Sequence, residues 1–156
     1  MIKIVAIDRV KEKSIKDAID IYLKRLVNRL RIDIIEISPV KYNTFDDIEK
    51  AKNIESEKIL NLIKGSSKNS LLIALDEKGS QLTSIEFCNL IYETINQRHL
   101  TFIIGGAYGL AEQIIQKVDI VVSVSKMTFT HEMVRLFLVE QIYRAYTINN
   151  NISYHN

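Results

Sequence analysis

Short apolar segments recur along this chain and alternate with stretches in which apolar residues return every three or four positions. The apolar segments are rich in β-branched residues, as expected for strands that are covered on both faces of a sheet. We predict five strands, over residues 2–7, 32–37, 71–75, 101–104 and 120–124. Helical spacing predicts five helices, over residues 15–30, 48–63, 84–96, 110–117 and 130–146.

Local signals set several helix boundaries. Ser14 and Thr44 are candidate N-caps, and Gly65 is a candidate helix stop. Thr83 and Glu86 have the spacing of a capping box.

The alternation of strands and helices predicts a three-layer α/β domain with a mostly parallel sheet. No repeat, low-complexity segment or linker divides the sequence, so we predict a single domain over residues 1–156. The last predicted helix is apolar on nearly every face, which requires burial on several sides and suggests a subunit interface.

Composition narrows the class of protein. Hydrophobic residues make up 47% and charged residues 26%, as in soluble globular proteins. No apolar run approaches the roughly 18 residues of a membrane helix, and the apolar N-terminus is too short for a signal peptide. The single cysteine, Cys88, cannot form an internal disulfide, which favours a reducing cytoplasm. Its apolar helical surroundings indicate packing rather than catalysis.

The formal net charge of +2 is lower than that of most nucleic-acid-binding domains. Basic residues are nevertheless concentrated near the N-terminus, at Lys11, Lys13, Lys16, Lys24, Arg25, Arg29 and Arg31. A solvated helix face explains this cluster simply, and a surface that faces phosphates is the alternative.

Three predicted loops, at residues 75–79, 105–109 and 124–129, follow consecutive strands of the predicted sheet. Parallel strands place such loops at one edge, where they can converge on a ligand. Glycines at 105, 106 and 109 permit tight turns and close approach of the backbone. Their pattern, G-G-x-x-G, matches a dinucleotide fingerprint only weakly, and an ordinary strand-to-helix turn explains it more simply.

The histidines do not predict a metal site. His131-Glu132 begins an H-E-x-x-H pattern, but Arg135 stands where the second histidine is needed, and His99 and His155 lie elsewhere. His131 and Arg135 share a helix face, and a cap, an interface contact or catalysis are all compatible with that spacing. The terminal Tyr154-His155 pair can fold over the three loops of its own chain or of a partner, and histidine accepts protons near neutral pH.

Several segments together resemble one enzyme family over the whole chain, the ribosomal RNA large-subunit methyltransferase H family, which is the minimal branch of the SPOUT methyltransferases. The matching segments lie at residues 11–13, 32–36, 75–79, 102–110, 125–131, 140–145 and 154–155. This resemblance implies a C-terminal trefoil knot, which no pattern argument would propose. It also implies a homodimer, S-adenosylmethionine as the methyl donor, and methylation of N3 of a pseudouridine in helix 69 of the large-subunit rRNA on the assembled ribosome.

The resemblance also assigns roles to residues. It implies that the cofactor pocket is lined by Leu75, Gly105, Val124, Ser125, Lys126, Met127, Thr128 and Phe129. Tyr154 and His155 would approach the target base from the partner subunit. We hypothesise that His155 accepts the N3 proton, directly or through water, while Tyr154 holds the base.

The sequence departs from the family pattern in its tail and before the last helix. The departures are Ser80 for lysine, Thr130 for proline, Asn151 for glycine, Ser153 for proline, and Asn156 at the end, where a basic residue often follows the Tyr-His pair. Because the tail is altered, one alternative is a ribosome-binding factor that no longer catalyses methyl transfer. A nucleotide-dependent enzyme that uses Gly105-Gly106 as a phosphate loop is a second alternative.

Overall fold

The computed structural model describes residues 1–41, 44, 47–64 and 69–155. Within these ranges, five strands and five helices alternate along the chain, as predicted. The strands are β1 (Ile2–Ile7), β2 (Ile32–Ile37), β3 (Ser70–Gln81), β4 (His99–Ile104) and β5 (Ile120–Ser123). The helices are α1 (Lys13–Leu26), α2 (Asp47–Ile63), α3 (Ser84–Ile95), α4 (Glu112–Ile115) and α5 (His131–Asn149).

The strands form one sheet in the order β2-β1-β4-β3-β5, and every neighbouring pair is parallel. The predicted α/β class and parallel sheet are therefore confirmed. β5 follows β4 in the sequence but pairs with β3, so the chain passes beyond β3 before it enters the sheet again. The trefoil knot that the resemblance implies stays a prediction.

Alternate residues along the strands face two separate hydrophobic layers, which explains why the strands are apolar throughout. On one face, Phe102 packs with residues of α1, α3 and α5, including Ile91 and Leu138. On the other face, Ile103 packs with Ile59 of α2 and Ile114 of α4. The sheet is thus covered on both sides, as in the predicted three-layer arrangement.

The end of β3 differs from the prediction. We predicted a loop at residues 75–79, but β3 continues to Gln81 and changes its register with β5 between Leu75 and Ser80. Gly79 permits this pairing, since a Cβ atom there would lie 2.7 Å from the carbonyl carbons of Val121 and Val122. Pairing with a distant strand thus overrides the polar character of this segment.

Helix boundaries follow the local signals only in part. The capping box of α3 is confirmed, with Thr83 and Glu86 each accepting from the other's backbone N–H. The prediction that Ser14 caps α1 is wrong, because Glu12 holds the N-cap position and the Ser14 hydroxyl donates to its carboxylate. α1 ends at Leu26 rather than residue 30, and α5 extends to Asn149. The predicted stop at Gly65 lies outside the described residues.

Cys88 is buried in α3, as expected. No helix in the described part of the chain is long and apolar enough to cross a membrane.

Candidate functional site

A cleft of about 340 Å³ opens between the middle of β3 and the segments that follow β4 and β5. Seven residues of the predicted cofactor pocket line it, namely Leu75, Gly105, Val124, Ser125, Met127, Thr128 and Phe129. Lys126 is exposed and is not part of the lining. The three segments singled out in the sequence therefore converge, as the geometry of a parallel sheet requires.

The glycine turn after β4 forms one wall of the cleft. A Cβ atom on Gly105 would lie 2.5 Å from the carbonyl carbon of Gly109, so only glycine permits this approach of backbone to backbone. Gly109 has a φ of 74°, and its N–H donates to the carbonyl of Gly106. α4 begins three residues later and carries Glu112 in its first turn, which disfavours a phosphate there.

The segment after β5 forms a second wall and is held by its own hydroxyl groups. The Ser123 hydroxyl donates to the carbonyl of Ser125 at 2.7 Å, and the Ser125 hydroxyl accepts from the N–H of Met127 at 3.0 Å. Thr128 donates to the carboxylate of Glu77 at 2.6 Å, which joins this wall to the end of β3. The loop is therefore ordered by local polar contacts, while Met127 remains 72% exposed.

Charged side chains also line the cleft. Asp76, Glu77 and Lys78 come from the predicted segment at residues 75–79, whereas Lys52 of α2 was not assigned to a site by any sequence pattern. Asp76 accepts from the N–H of Lys78 at 3.0 Å. No local signal marks Lys52, because α2 contains several lysines and its approach to the cleft depends on the packing of the layers.

The start of α5 is fixed by three residues that reach other groups. Thr130 caps the helix by accepting from the N–H of Met133, and the carboxylate of Glu132 accepts from the N–H groups of Lys11 and Glu12 at the start of α1. Arg135, only 1% exposed, donates to Glu36 and to the carbonyl of Asp8. Arg135 therefore has a structural role, joining α5 to β2 and to the end of β1, and it does not line the cleft.

His131 lines the cleft beside Arg135, and its buried Nε2 has no hydrogen-bond partner within the described ranges. Asp8 lies nearby in a left-handed conformation with a φ of 66°. Burial opposes its ionisation, but hydrogen bonds from the Lys11 side chain and the Arg9 N–H, with the positive charges of Lys11 and His131, lower the pKa of Asp8 overall.

Tyr154 and His155 do not line the cleft of their own chain. Tyr154 contacts Tyr22 of α1 and Glu140 of α5, and His155 contacts Arg144 of α5. The Tyr154 hydroxyl donates to Glu140 at 3.0 Å, and burial with the neighbouring Tyr22 and Glu140 raises the pKa of Tyr154. Arg144 lies over the Tyr154 ring and is 3.4 Å from Nδ1 of His155.

Glu140, which accepts the hydrogen bond from Tyr154 of the tail, borders a second cavity. This cavity has a volume of about 230 Å³ and shares Leu75 and Val124 with the cleft.

The basic cluster on α1 and the turn after it is largely exposed. Arg25 stacks against the rings of Tyr22 and Tyr143, at 5.6 and 5.3 Å from their centroids. Among the described carboxylates, none forms an ion pair with Lys24, Arg25, Arg29 or Arg31. These charges are therefore available to an anionic surface.

Comparisons with known proteins agree with this geometry. Residues 1–155 match a family model described as a predicted SPOUT methyltransferase. The ribosomal RNA large subunit methyltransferase H of Clostridium botulinum strain Kyoto is 42% identical, over 99% of this chain and 98% of that protein. The protein of the same name from Caldicellulosiruptor saccharolyticus is 36% identical, over 99% of each.

Two solved structures share the fold at low sequence identity. A probable methylase family protein from Haemophilus influenzae has a TM-score of 0.61 at 13% identity, over 99% of this chain and 70% of that one. A probable methyltransferase from Bordetella pertussis has a TM-score of 0.58 at 10% identity, over 93% of both chains.

Proposed function

The chain belongs to the ribosomal RNA large subunit methyltransferase H family of SPOUT methyltransferases, and from this premise we propose its donor, target and assembly. The methyl donor is S-adenosylmethionine, and the acceptor is N3 of a pseudouridine in helix 69 of the 23S large-subunit rRNA. The reaction takes place in the cytoplasm on the assembled ribosome. The observation that carries this proposal is the cleft, where β3 and the segments that follow β4 and β5 meet around a glycine turn.

The cleft suits S-adenosylmethionine in size and shape. Its volume of about 340 Å³ lies within the range of small-molecule sites. The missing side chain at Gly105 lets the backbone of the turn close around a ligand. Leu75, Gly105 and residues 124–129 would hold the cofactor, largely through backbone groups. When bound, S-adenosylmethionine supplies a methyl group that is activated by the positive charge on its sulfur.

The protein's own contribution is to orient the target and to remove a proton. Holding two reactants in line can contribute roughly 7–11 kcal/mol to lowering a barrier. N3 of pseudouridine carries a proton that must leave as the new N–C bond forms. His155 accepts that proton, directly or through water, while Tyr154 holds the base.

The present contact of His155 defines a condition for this role. A guanidinium is always a donor, so Nδ1 of His155 is the acceptor in its contact with Arg144, and a neutral ring then carries its proton on Nε2. His155 must therefore leave Arg144 before its free nitrogen can take up the N3 proton.

A homodimer completes the site in this proposal. The tail does not line the cleft of its own chain, and Val124, Met127 and Phe129 expose apolar surface at the rim of that cleft. α5 also carries apolar residues that its own chain covers only in part, including Leu136, Phe137 and Tyr146. A second copy would cover this surface and bring its own Tyr154 and His155 toward the cleft.

The test is methyl transfer from labelled S-adenosylmethionine to assembled ribosomes that lack the modification, with free rRNA assayed alongside. We expect label at pseudouridine N3 in the ribosome and none on free rRNA, because the enzyme needs a surface that exists only after assembly. Binding of the cofactor and of ribosomes without any transfer would instead identify a ribosome-binding factor that has lost turnover.

A further inference from the structure

Lys52 reaches the cleft from a different layer than the other lining residues. It belongs to α2, which covers the opposite face of the sheet from α5, and it is the single residue of that helix in the described lining. Its side chain is only 19% exposed, whereas lysine side chains are mostly exposed in folded proteins. The Lys52 side chain is therefore largely packed beside the cleft rather than free in solvent.

The charge of Lys52 is only lightly compensated. Its partner is Glu49, one turn earlier on the same helix, at 3.4 Å and with a side chain that is 76% exposed. Exposed pairs of this kind contribute little to stability, because water screens both charges. A ligand anion in the cleft can therefore replace Glu49 at small cost.

The other wall of the cleft carries the opposite charge. Asp76 and Glu77 each use one carboxylate oxygen in a hydrogen bond, the first from the N–H of Lys78 and the second from Thr128. Lys78 of the same strand is exposed and also lines the cleft. The cleft thus offers carboxylates on β3 and ammonium groups on β3 and α2, which suits a ligand with an ammonium and a carboxylate on one carbon.

We infer that Lys52 binds the α-carboxylate of S-adenosylmethionine. The inference rests on the proposed function, because it takes the methyl donor from there. It adds a specificity-determining contact from α2, which lies outside β3 and the segments that follow β4 and β5. Lys52 is then a binding residue that favours the amino-acid end of this donor over ligands that lack a carboxylate.

The experiment compares two ligands by isothermal titration calorimetry, S-adenosylmethionine and its decarboxylated analogue. The Lys52→Met variant keeps the length and helix propensity of the side chain and removes its charge. Lys50→Met is the matched control, because Lys50 lies on the same helix in a similar exposed pair with Asp47 and does not line the cleft.

We expect Lys52→Met to weaken the binding of S-adenosylmethionine roughly tenfold or more, because the variant cannot form the charge-assisted hydrogen bond to the carboxylate. Binding of the decarboxylated analogue should change less than twofold, and Lys50→Met should leave both affinities unchanged. Equal reductions for both ligands, or an unchanged affinity for S-adenosylmethionine, would overturn the inference. Weaker ribosome binding alone would do the same, since Lys52 would then contact RNA.

Failure of the proposed function looks different in the same assay. A wild-type protein that binds neither ligand would exclude S-adenosylmethionine as the methyl donor, and this inference with it. A wild-type protein that binds S-adenosylmethionine but transfers no methyl group would contradict the proposed activity. The comparison of Lys52→Met with Lys50→Met would still decide the inference.

Discussion

The buried guanidinium of Arg135 donates to the carboxylate of Glu36 at 2.5 Å, across 99 positions of sequence. This contact joins the first turns of α5 to the edge strand β2, and the same guanidinium also binds the carbonyl of Asp8 at the end of β1. α5, which follows the cleft in the sequence, is thereby attached to β2, the edge strand opposite β5.

Replacing Glu36 by alanine should destabilise the fold by about 2 kcal/mol, because it leaves a buried guanidinium with fewer acceptors. The cost stays below the roughly 3–5 kcal/mol of a fully buried pair, since the Glu36 side chain is 44% exposed. Urea denaturation measures the change. Asp33→Ala, at an exposed position of the same strand, is the control and should change stability by less than about 0.5 kcal/mol.

Asp8 gives the fold a pH dependence on the acid side. The folded-state pKa of Asp8 lies below its usual value of 3.8, so its carboxylate stabilises the fold above that value and ceases to do so as the pH falls through the folded-state pKa. Asp8→Asn is a suitable variant, because asparagine tolerates the left-handed conformation. Wild-type protein should be more stable than the variant at neutral pH, and the difference should shrink as the pH falls from about 5 through the folded-state pKa.

Urea denaturation across that range checks the prediction. A difference that stays constant with pH would mean that the Asp8 carboxylate gains nothing from its contacts with Lys11 and Arg9.

The sequence predicts those features of the fold that depend on residues close together in the chain, and it misses those that depend on contacts between distant segments. The capping box of Thr83 and Glu86 involves neighbours in the chain and was found from spacing alone. The continuation of β3 past Leu75 was missed, because it depends on pairing with β5 and on the close approach at Gly79. The apolar strands were found because burial on both faces leaves a continuous pattern.

The candidate site divides in the same way. Leu75, Gly105 and the segment after β5 were located because parallel strands bring their carboxyl ends together. Lys52 was missed, because its position depends on how α2 packs against the sheet. The contact of Tyr154 with Glu140 was also missed, since a terminal segment carries no pattern that specifies where it docks.

The glycine turn should tolerate a methyl group at one position and not at its neighbour. In Gly105→Ala the new Cβ would lie 2.5 Å from the backbone of Gly109, whereas in Gly106→Ala it would lie 3.0 Å from the Cγ2 methyl group of the Ile7 side chain, a less severe contact. We expect Gly105→Ala to cost about 1–3 kcal/mol and to weaken the binding of S-adenosylmethionine. Gly106→Ala is the matched control with the smaller effect. Thermal unfolding measures the stability and calorimetry measures the affinity for S-adenosylmethionine. Equal effects of the two substitutions would contradict the proposed role of Gly105 in the glycine turn.

The basic cluster should contribute to ribosome binding in a way that depends on salt. Lys24 and Arg29 are exposed and have no described acidic partner, so neutralising both with glutamine should weaken binding at low salt. The slope of log affinity against log salt should fall by about 1 for each phosphate that the variant no longer binds. Glutamine at Lys50 and Lys117 removes the same charge elsewhere and should leave the slope unchanged. An unaltered slope in the Lys24 and Arg29 variant would exclude this surface from RNA contact.

His155 provides the most direct test of the proposed chemistry. His155→Ala should lower kcat for ribosome methylation by roughly 100- to 10,000-fold, the usual contribution of a positioned base, while the affinity for S-adenosylmethionine stays unchanged. The fold should also be unaffected, because His155 is exposed and contacts Arg144 only weakly at 3.4 Å. His99→Ala, an exposed histidine at the start of β4, is the control. Single-turnover kinetics separate the chemical step from binding. If His155→Ala retained wild-type turnover, another group would have to accept the proton, and the tail would serve only to hold the target base.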